Sequence, residues 1–406
     1  MSLETLINTV KHESFHTDDE IKECINELVN EYGTNLFNDD DITQIVSPLR
    51  VLICEKLHNE GLLDINFKYF CHDNDEDEET DNLSTRCRYC NVILHEGLEN
   101  HEVNRVYHFT RKSYEEILQY LASKDEEKYL MQELIKNFES LAKEIDEVIP
   151  FLGAGVSTPL KLPNWEGLLK RFEEHLPQNF QREAYKDFIN KGNFFGGLEY
   201  LIDNSYYITN EDRLKDEIIN IMSHADVKID DEEHNFDDII DLKSDYYVTT
   251  NYDLAMEHFM TKVSCYNTPV CMDEIGNLRN MSTTGNSIIH LHGHINRKPS
   301  MIVTKKDYDK LYSKRGTLVQ LAAILGSRPL LFIGFSFKDK FFVDMYNKLV
   351  KILDTVHYIV LFNPEYEEIR NLNNKNIKVL GLKVSDGNYV KAIKVLFNFV
   401  KKNKTL

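Results

Sequence analysis

The stretch GAGVS at residues 153–157 follows an apolar run, and its two glycines suggest that something lies close to the backbone there. Glycine permits a tight turn and lets a pyrophosphate approach the main chain, and a helix after the turn offers free N–H groups to phosphate charge. Thr158 stands where the usual dinucleotide fingerprint has a third glycine. A strand-to-helix turn without a ligand would explain the same residues, so this stretch alone leaves both interpretations open.

A second apolar run, YYVT, ends in the polar cluster Thr250, Asn251 and Asp253 before a helical pattern. Aspartate and asparagine are favoured at helix N-caps, so capping alone would account for Asp253. Asn251 comes two residues earlier, where its amide can point into a cleft.

The stretch SIIHLHGH carries three histidines after an apolar start. Strand alternation predicts His290 and His292 on one side, and Gly293 would let a ligand approach His292. An imidazole that titrates near neutrality suits a general base. Metal binding is disfavoured here, because no cysteine or carboxylate cluster lies nearby in the sequence to complete the ligands.

Two more apolar runs end in a similar way, LLFI at Gly334 and Ser336, and HYIVLF at Asn363. Each is commonplace singly. Five glycine-bearing or polar strand ends in one chain are harder to explain as turns alone, and they favour a shared binding site.

Three cysteines in the amino-terminal part have the spacing of a metal site, with Cys87 and Cys90 as a C-x-x-C pair and Cys71 upstream. The candidates for a fourth ligand are His72, His95 and His101. A zinc ribbon over 70–105 and reduced, unliganded cysteines in a hairpin both fit this pattern. The acidic tract at 73–81 predicts an exposed loop; it lacks the turn glycine and terminal glutamate of a calcium-binding EF-hand loop.

Short apolar runs alternate with helical patterns from residue 148 onward. Such alternation predicts an α/β fold, a Rossmann-like doubly wound parallel sheet, with ligands bound at the carboxyl ends of the strands. Residues 1–145 predict a mainly helical regulatory or assembly domain. One long helix is predicted over 124–147, where this domain leads into the glycine-rich stretch. The stretch around 50–70 resembles the end of a winged helix. The predicted domains are therefore 1–145 and 146–406.

Taken in order, GAGVS, LPNW, TTNYD, HLHG, GFSFKD and FNPE resemble the sirtuin-like NAD-consuming domain family over roughly 146–403. The resemblance implies catalytic roles for His292, as the base, and for Asn251. It implies NAD contacts for a further set of residues: Gly153, Ala154, Gly155, Ser157, Asp253, Gly334, Ser336 and Asn363.

Two departures from deacylating sirtuins favour NAD hydrolysis. Between 160 and 290 the only cysteines are Cys265 and Cys271, so the four-cysteine zinc module is absent, and LPNW replaces the usual stretch after the first glycine-rich turn. Both features resemble prokaryotic sirtuin-like effectors that hydrolyse NAD, many of them in anti-phage defence. An NAD or nucleotide sensor without turnover and a protein deacylase are the alternatives.

The composition fits a soluble globular protein. Of 406 residues, 42% are hydrophobic and 28% charged, and the net charge of −20 argues against a general nucleic-acid surface. Seven cysteines and a polar start, without a signal peptide or membrane span, indicate the cytoplasm. By resemblance, such effectors are often oligomers that work with a second protein, for instance a co-encoded ATPase.

Overall fold

A computed structural model describes residues 3–43, 48–96, 99–223, 232–263, 269–272, 274, 287–313, 319, 321–323, 325–326, 328–335, 343, 347 and 355–404. The chain forms two compact units, Met1–Asp125 and Glu126–Leu406. No helix in these described ranges combines the length and apolar character needed to cross a membrane.

The first unit combines helices with a small antiparallel sheet. Its elements are α1 (Leu3–Ser14), α2 (Asp18–Tyr32), β1 (Phe37–Asn38), α3 (Asp39–Thr43), α4 (Pro48–Asn59), β2 (Asp64–Cys71), β3 (Glu76–Thr80), β4 (His101–His108) and α5 (Arg111–Tyr129), whose last turn belongs to the second unit. The sheet order is β1-β4-β2-β3. The mainly helical character expected of this region is found together with this small sheet, and the winged helix stays a prediction.

Local sequence explains the helix starts in this unit. Thr17 caps α2, because its hydroxyl accepts a hydrogen bond from the Glu20 N–H while the Glu20 carboxylate accepts one from the Thr17 N–H. The apolar faces of α1, α2 and α4 then pack together around buried residues such as Ile25 and Leu57.

The second unit is built on a parallel sheet. Its elements are α6 (Ile135–Glu144), β5 (Ile149–Leu152), α7 (Trp165–Arg171), α8 (Asn179–Asn190), α9 (Phe194–Asn204), α10 (Glu211–Ser223), α11 (Phe236–Ile240), β6 (Tyr246–Thr249), α12 (Ala255–Lys262), β7 (Val270–Cys271), β8 (Ser287–His290), α13 (Lys305–Ser313), β9 (Leu330–Ile333), β10 (His357–Phe362), α14 (Tyr366–Asn373), β11 (Ile377–Leu382) and α15 (Tyr389–Lys402).

The strand order is β11-β10-β9-β5-β6-β8-β7, so successive strands are added on one side of β5 and then on the other. The topological switch point therefore lies at β5, between β9 and β6. All these strand pairs are parallel. Leu331 and Ile333 of β9 enter one buried apolar cluster, while Leu330 and Phe332 enter another. Both faces of the sheet are therefore covered, and the predicted Rossmann-like doubly wound fold is confirmed.

Two local expectations were wrong. The acidic tract is exposed, as expected, but Glu76–Thr80 forms β3 instead of a loop and pairs with β2. Charged side chains suit this position, since β3 is the last strand of its sheet and charge discourages pairing with another chain.

The predicted helix over 124–147 is broken. The chain leaves α5 after Tyr129, and Leu130 forms a β-bridge with Leu382 of β11. The Met131 N–H also donates to the Gly381 carbonyl at 3.0 Å. It resumes as α6, which packs in the second unit through Phe138 against Phe399. The predicted boundary at 145/146 therefore falls inside the second unit.

Candidate functional site

The loop after β5 and the loop after β9 pack backbone to backbone. The Gly153 N–H donates to the Ile333 carbonyl at 2.8 Å, and the Gly155 N–H donates to the Gly334 carbonyl at 2.9 Å. A Cβ on Gly334 would lie 2.5 Å from the Val156 nitrogen, and Gly334 has φ +76°. Glycine is thus required at these positions because the two loops approach each other closely. The sequence had suggested a different reason, the close approach of a ligand.

The remaining residues of the glycine-rich turn form a 3-10 helix over Ala154–Leu160. Ser157 is buried, Ala154 is half-buried, and Gly155 is exposed. Gly153 is the N-cap residue of this short helix and provides no side-chain cap. Ala154 and Gly155 are therefore the accessible residues at the start of this short helix.

Asn251, just beyond β6, has a buried and oriented amide. Its Nδ2 donates to the Gly153 carbonyl at 3.2 Å and to the Ser157 hydroxyl at 3.3 Å. Its Oδ1 is buried and accepts no hydrogen bond from the described part of the chain. A buried acceptor without a partner is costly in a native protein, so this oxygen is the natural contact for a ligand or a reacting water.

Asp253 is fixed at the start of α12. Its Oδ1 accepts a hydrogen bond from the Ala255 N–H at 3.1 Å, but the N-cap residue of α12 is Leu254, so Asp253 lies one residue before the position expected from the sequence. Burial raises the pKa of this carboxyl, although a hydrogen bond from Ser157 acts in the opposite direction.

A buried histidine–glutamate pair supports the backbone of Asn251. His290 Nδ1 lies 3.1 Å from the Asn251 carbonyl oxygen, and His290 Nε2 lies 2.6 Å from Glu257 Oε1. Both ring nitrogens face acceptors, so both carry a hydrogen when His290 is charged. Burial lowers the pKa of His290, but Glu257 outweighs it and raises this pKa above its usual value. Glu257 is a site residue that the sequence reasoning missed, although it follows Asp253 by one helical turn.

His292 lies beyond the end of β8, so the strand alternation expected for His290 and His292 does not extend to it. Its Nδ1 is 3.4 Å from the Tyr308 hydroxyl, and burial lowers the pKa of His292 to about 3. The imidazole is therefore neutral at physiological pH and has a lone pair to accept a hydrogen bond or a proton, but the titration near neutrality expected from the sequence is not found, because burial disfavours the charged form. Tyr308, on α13, had no signal in the sequence.

The turn after His292 is held by backbone packing. Gly293 has φ +71°, and a Cβ there would lie 2.3 Å from the Ser300 carbonyl oxygen. The glycine thus serves the fold of the turn, whereas the sequence suggested room for a ligand. The Ile302 N–H donates to the His292 carbonyl at 2.9 Å and fixes the position of the histidine.

Asn363 lies apart from this group. Its Nδ2 donates to the Val384 carbonyl at 2.8 Å, and its Oδ1 accepts from the Val384 N–H at 3.0 Å. The side chain joins the ends of β10 and β11, so its amide is already engaged by the backbone. The NAD contact that the resemblance implies for Asn363 stays a prediction. Ser336 lies outside the described residues.

The first unit contains a separate cysteine–histidine group. Ligand atoms of Cys71, Cys87, Cys90 and His101 all lie within 4.8 Å of one another. The three predicted cysteines are brought together with His101 as the fourth member. The other two candidate ligands, His72 and His95, are exposed and lie outside this group.

The SIR2-like domain family matches residues 245–380, which include β6 to β10 of the parallel sheet. The expected sirtuin-like resemblance is therefore confirmed. The chain is also 26% identical over 225 residues to the NAD(+) hydrolase ThsA of Cytobacillus dafuensis. That alignment covers 55% of this chain and 41% of the relative, so the chain spans less than half the length of that protein.

Proposed function

We propose that the second unit hydrolyses NAD to nicotinamide and ADP-ribose, with His292 and Asn251 as its catalytic residues. The proposal is carried by the orientation of Asn251, whose Nδ2 is held by Gly153 and Ser157 while its buried Oδ1 has no partner in the described chain. The similarity to an NAD(+) hydrolase supports the same chemistry.

The reaction breaks the bond between the ribose carbon and the nicotinamide nitrogen. The leaving group is already cationic in NAD, so it departs neutral through an oxocarbenium-like state without needing an acid. Water then forms the new bond to the ribose carbon and loses one proton. Asn251 Oδ1 accepts a hydrogen bond from that water or from a ribose hydroxyl, and neutral His292 accepts the proton.

Substrate binding is assigned to the strand ends beside this pair. In the proposal the diphosphate lies along the accessible residues Ala154 and Gly155, close to Gly334, and the buried Ser157 is a further proposed NAD contact. Asp253 lies on the nicotinamide ribose side. Ser336 and Asn363 complete the proposed NAD contacts. Binding energy from the diphosphate, which is remote from the reacting bond, then serves to orient the ribose.

Tyr308 has a defined part in this scheme. For His292 to take the proton through Nε2, its Nδ1 must carry a hydrogen, which donates to the Tyr308 hydroxyl oxygen 3.4 Å away. Tyr308 would thereby fix the tautomer of the base, as the carboxylate does in other histidine-dependent sites.

The decisive experiment incubates the purified full chain with NAD and follows free nicotinamide by chromatography. We expect His292→Ala and Asn251→Ala each to lower the turnover by at least about 100-fold, the usual contribution of a general base or positioned group. His12→Ala, an exposed histidine on α1, is the matched control and should retain full activity.

The same assay separates the rival functions. NAD binding without nicotinamide release would indicate a sensor, and release that depends on an added acyl-lysine peptide would indicate a deacylase. Turnover retained in a folded His292→Ala chain would remove that residue from the catalytic role.

We further propose that the chain depletes NAD in the cytoplasm during anti-phage defence, as an oligomer under control of the first unit and a partner protein such as an ATPase. The resemblance to defence effectors supports this role. Expression of the wild-type chain during phage infection should lower cellular NAD, and His292→Ala should not. Unchanged NAD during infection with several unrelated phages would contradict it.

A further inference from the structure

The cysteine–histidine group lies where the paired strands β2 and β4 end at Cys71 and His101. The chain between these two residues, 71–101, is called the lobe. We propose that Cys71, Cys87, Cys90 and His101 bind one structural Zn²⁺ ion, with His101 as the fourth ligand. Their ligand atoms lie within 4.8 Å of one another. Ligands of a tetrahedral zinc ion are about 3.5 to 3.8 Å apart, from Zn–S and Zn–N bonds of about 2.3 and 2.0 Å.

The backbone places these ligands by two independent devices. Cys71 ends β2 and His101 begins β4, and they face each other in the antiparallel ladder. Cys87 and Cys90 lie in a tight turn that is closed by a bridge between Arg86 and Ile93. The ladder and the turn meet where Cys90 Sγ lies 3.2 Å from His101 Nε2.

The turn also supplies hydrogen bonds suited to a thiolate. The Tyr89 N–H donates to Cys87 Sγ at 3.4 Å, and the Asn74 amide donates to Cys71 Sγ at 3.7 Å. Donors directed at sulfur stabilise its negative charge when it ligates a metal. Asn91 has φ +63°, a conformation that asparagine tolerates and that reverses the chain directly after Cys90.

Apolar burial is too small to order this lobe by itself. Its buried cluster consists of Tyr69, Cys71, Cys87 and Leu94, and two of these are the proposed ligands. Ordering each residue costs about 1–2 kcal/mol in backbone entropy, and a buried leucine returns only about 1.5–3 kcal/mol. Small lobes with so little core generally depend on a metal or a disulfide.

The ligand set selects zinc. Three thiolates with one imidazole form a closed tetrahedral site for Zn²⁺, whereas magnesium and calcium prefer oxygen ligands. All four positions are filled by protein, which is the arrangement of a structural site with no place for a substrate.

Metal content of the purified full chain tests the proposal. We expect about one zinc ion per chain by mass spectrometry, and at least a tenfold loss in Cys87→Ser and in His101→Ala. His72→Ala and His95→Ala are matched controls, because both histidines are exposed, are within the same lobe and lie outside the ligand group. These two variants should keep the metal.

Two further measurements guard against variants that fail to fold. Wild-type chain refolded with Co²⁺ should show the visible bands of tetrahedral thiolate coordination, and chelation of zinc should speed tryptic cleavage after Arg86 and Arg88 by about tenfold or more. His101→Cys, which preserves a four-ligand set, should still bind zinc.

The proposal is overturned if the wild-type chain contains no zinc after purification with zinc present. It is equally overturned if Cys87→Ser or His101→Ala keeps the metal, or if His72→Ala or His95→Ala loses it as completely as His101→Ala. None of these readouts depends on NAD turnover, so failure of the proposed function leaves them intact.

Discussion

The carboxyl edge of the parallel sheet and the lobe at residues 71–101 both gather polar side chains, but different forces hold them in place. At the sheet edge, strands β5, β6, β8 and β9 are buried on both faces, and the polar residues follow these strands directly. In the lobe, the apolar cluster has four buried residues, with Leu83, Tyr89, Cys90 and Val103 packed against it as partly buried members. The first region is held by packing, and the second is expected to be held by its ligands.

This difference determines what each region tolerates. A packed edge positions its residues through backbone contacts that leave no room for one added methyl group. A lobe with a small core is expected to accept changes at its surface and, if the proposed zinc site is correct, to depend on its four ligand atoms. The three predictions below concern the packed edge, each set against the behaviour expected of the lobe.

Gly334→Ala should have the largest effect. The added Cβ would lie 2.5 Å from the Val156 nitrogen, at a residue with φ +76°. We expect the free energy of unfolding to fall by about 3–5 kcal/mol, with loss of NAD turnover. Denaturant unfolding of the purified chain measures the first quantity.

Gly387→Ala is the matched control for that change, because Gly387 has φ +77° but nothing within 4 Å of an added Cβ. It should cost only the backbone strain, about 1–2 kcal/mol. Equal losses in the two variants would show that strain, not the approach of the two loops, governs the edge. Chelators should leave unfolding of the second unit unchanged in either chain.

Glu257→Gln should have an intermediate effect. The substitution removes the charge that favours protonated His290, whose Nδ1 holds the Asn251 carbonyl. We expect kcat to fall about 10- to 100-fold with little change in KM, since Glu257 positions Asn251 without contacting NAD in the proposed site. Steady-state kinetics at several NAD concentrations separates the two constants.

Glu199→Gln, an exposed glutamate on α9, serves as the control and should leave both constants unchanged. A rise in KM without a fall in kcat would assign Glu257 to substrate binding. Zinc content should be the same in both variants, which separates the edge from the lobe.

The pH dependence should show the smallest change. Burial lowers the pKa of His292 to about 3, so the base stays neutral as the pH falls from 7.5 toward 5 and is protonated only near its lowered pKa. We therefore expect kcat/KM for NAD to show no acid limb near 6.5, the value of an ordinary histidine.

The measurement is a kcat/KM profile between pH 5 and 8, with circular dichroism at each pH to confirm that the chain is folded. An acid limb near pH 6.5 that persists when each of the other histidines is substituted would contradict the buried, neutral His292. Zinc binding in the lobe should weaken over the same range, because protons compete for its thiolates and imidazole.

Much of the second unit could be predicted from local sequence. The apolar runs that become β5, β6, β8, β9, β10 and β11 are continuous because parallel strands are buried on both faces. The short strand β7 was missed, since two residues carry no periodic signal. Asn251 and His292 were predicted as site residues because strand ends and the resemblance both pointed to them.

Other features depended on contacts that are distant in the chain. The break between α5 and α6 follows from pairing with β11, although the helical pattern of residues 124–147 is continuous. The role of Glu257 depends on β8 bringing His290 beside α12. The choice of His101 among three histidines depends on the register of β2 with β4.

The sequence by itself determined most strands of the second unit and which kinds of side chain follow them, because periodicity and turn chemistry are local properties. Only the tertiary structure decided why the glycines are needed, which nitrogen faces which acceptor, and which histidine joins the cysteines. Those outcomes are distances between residues far apart in the chain, and they are set by strand order and register.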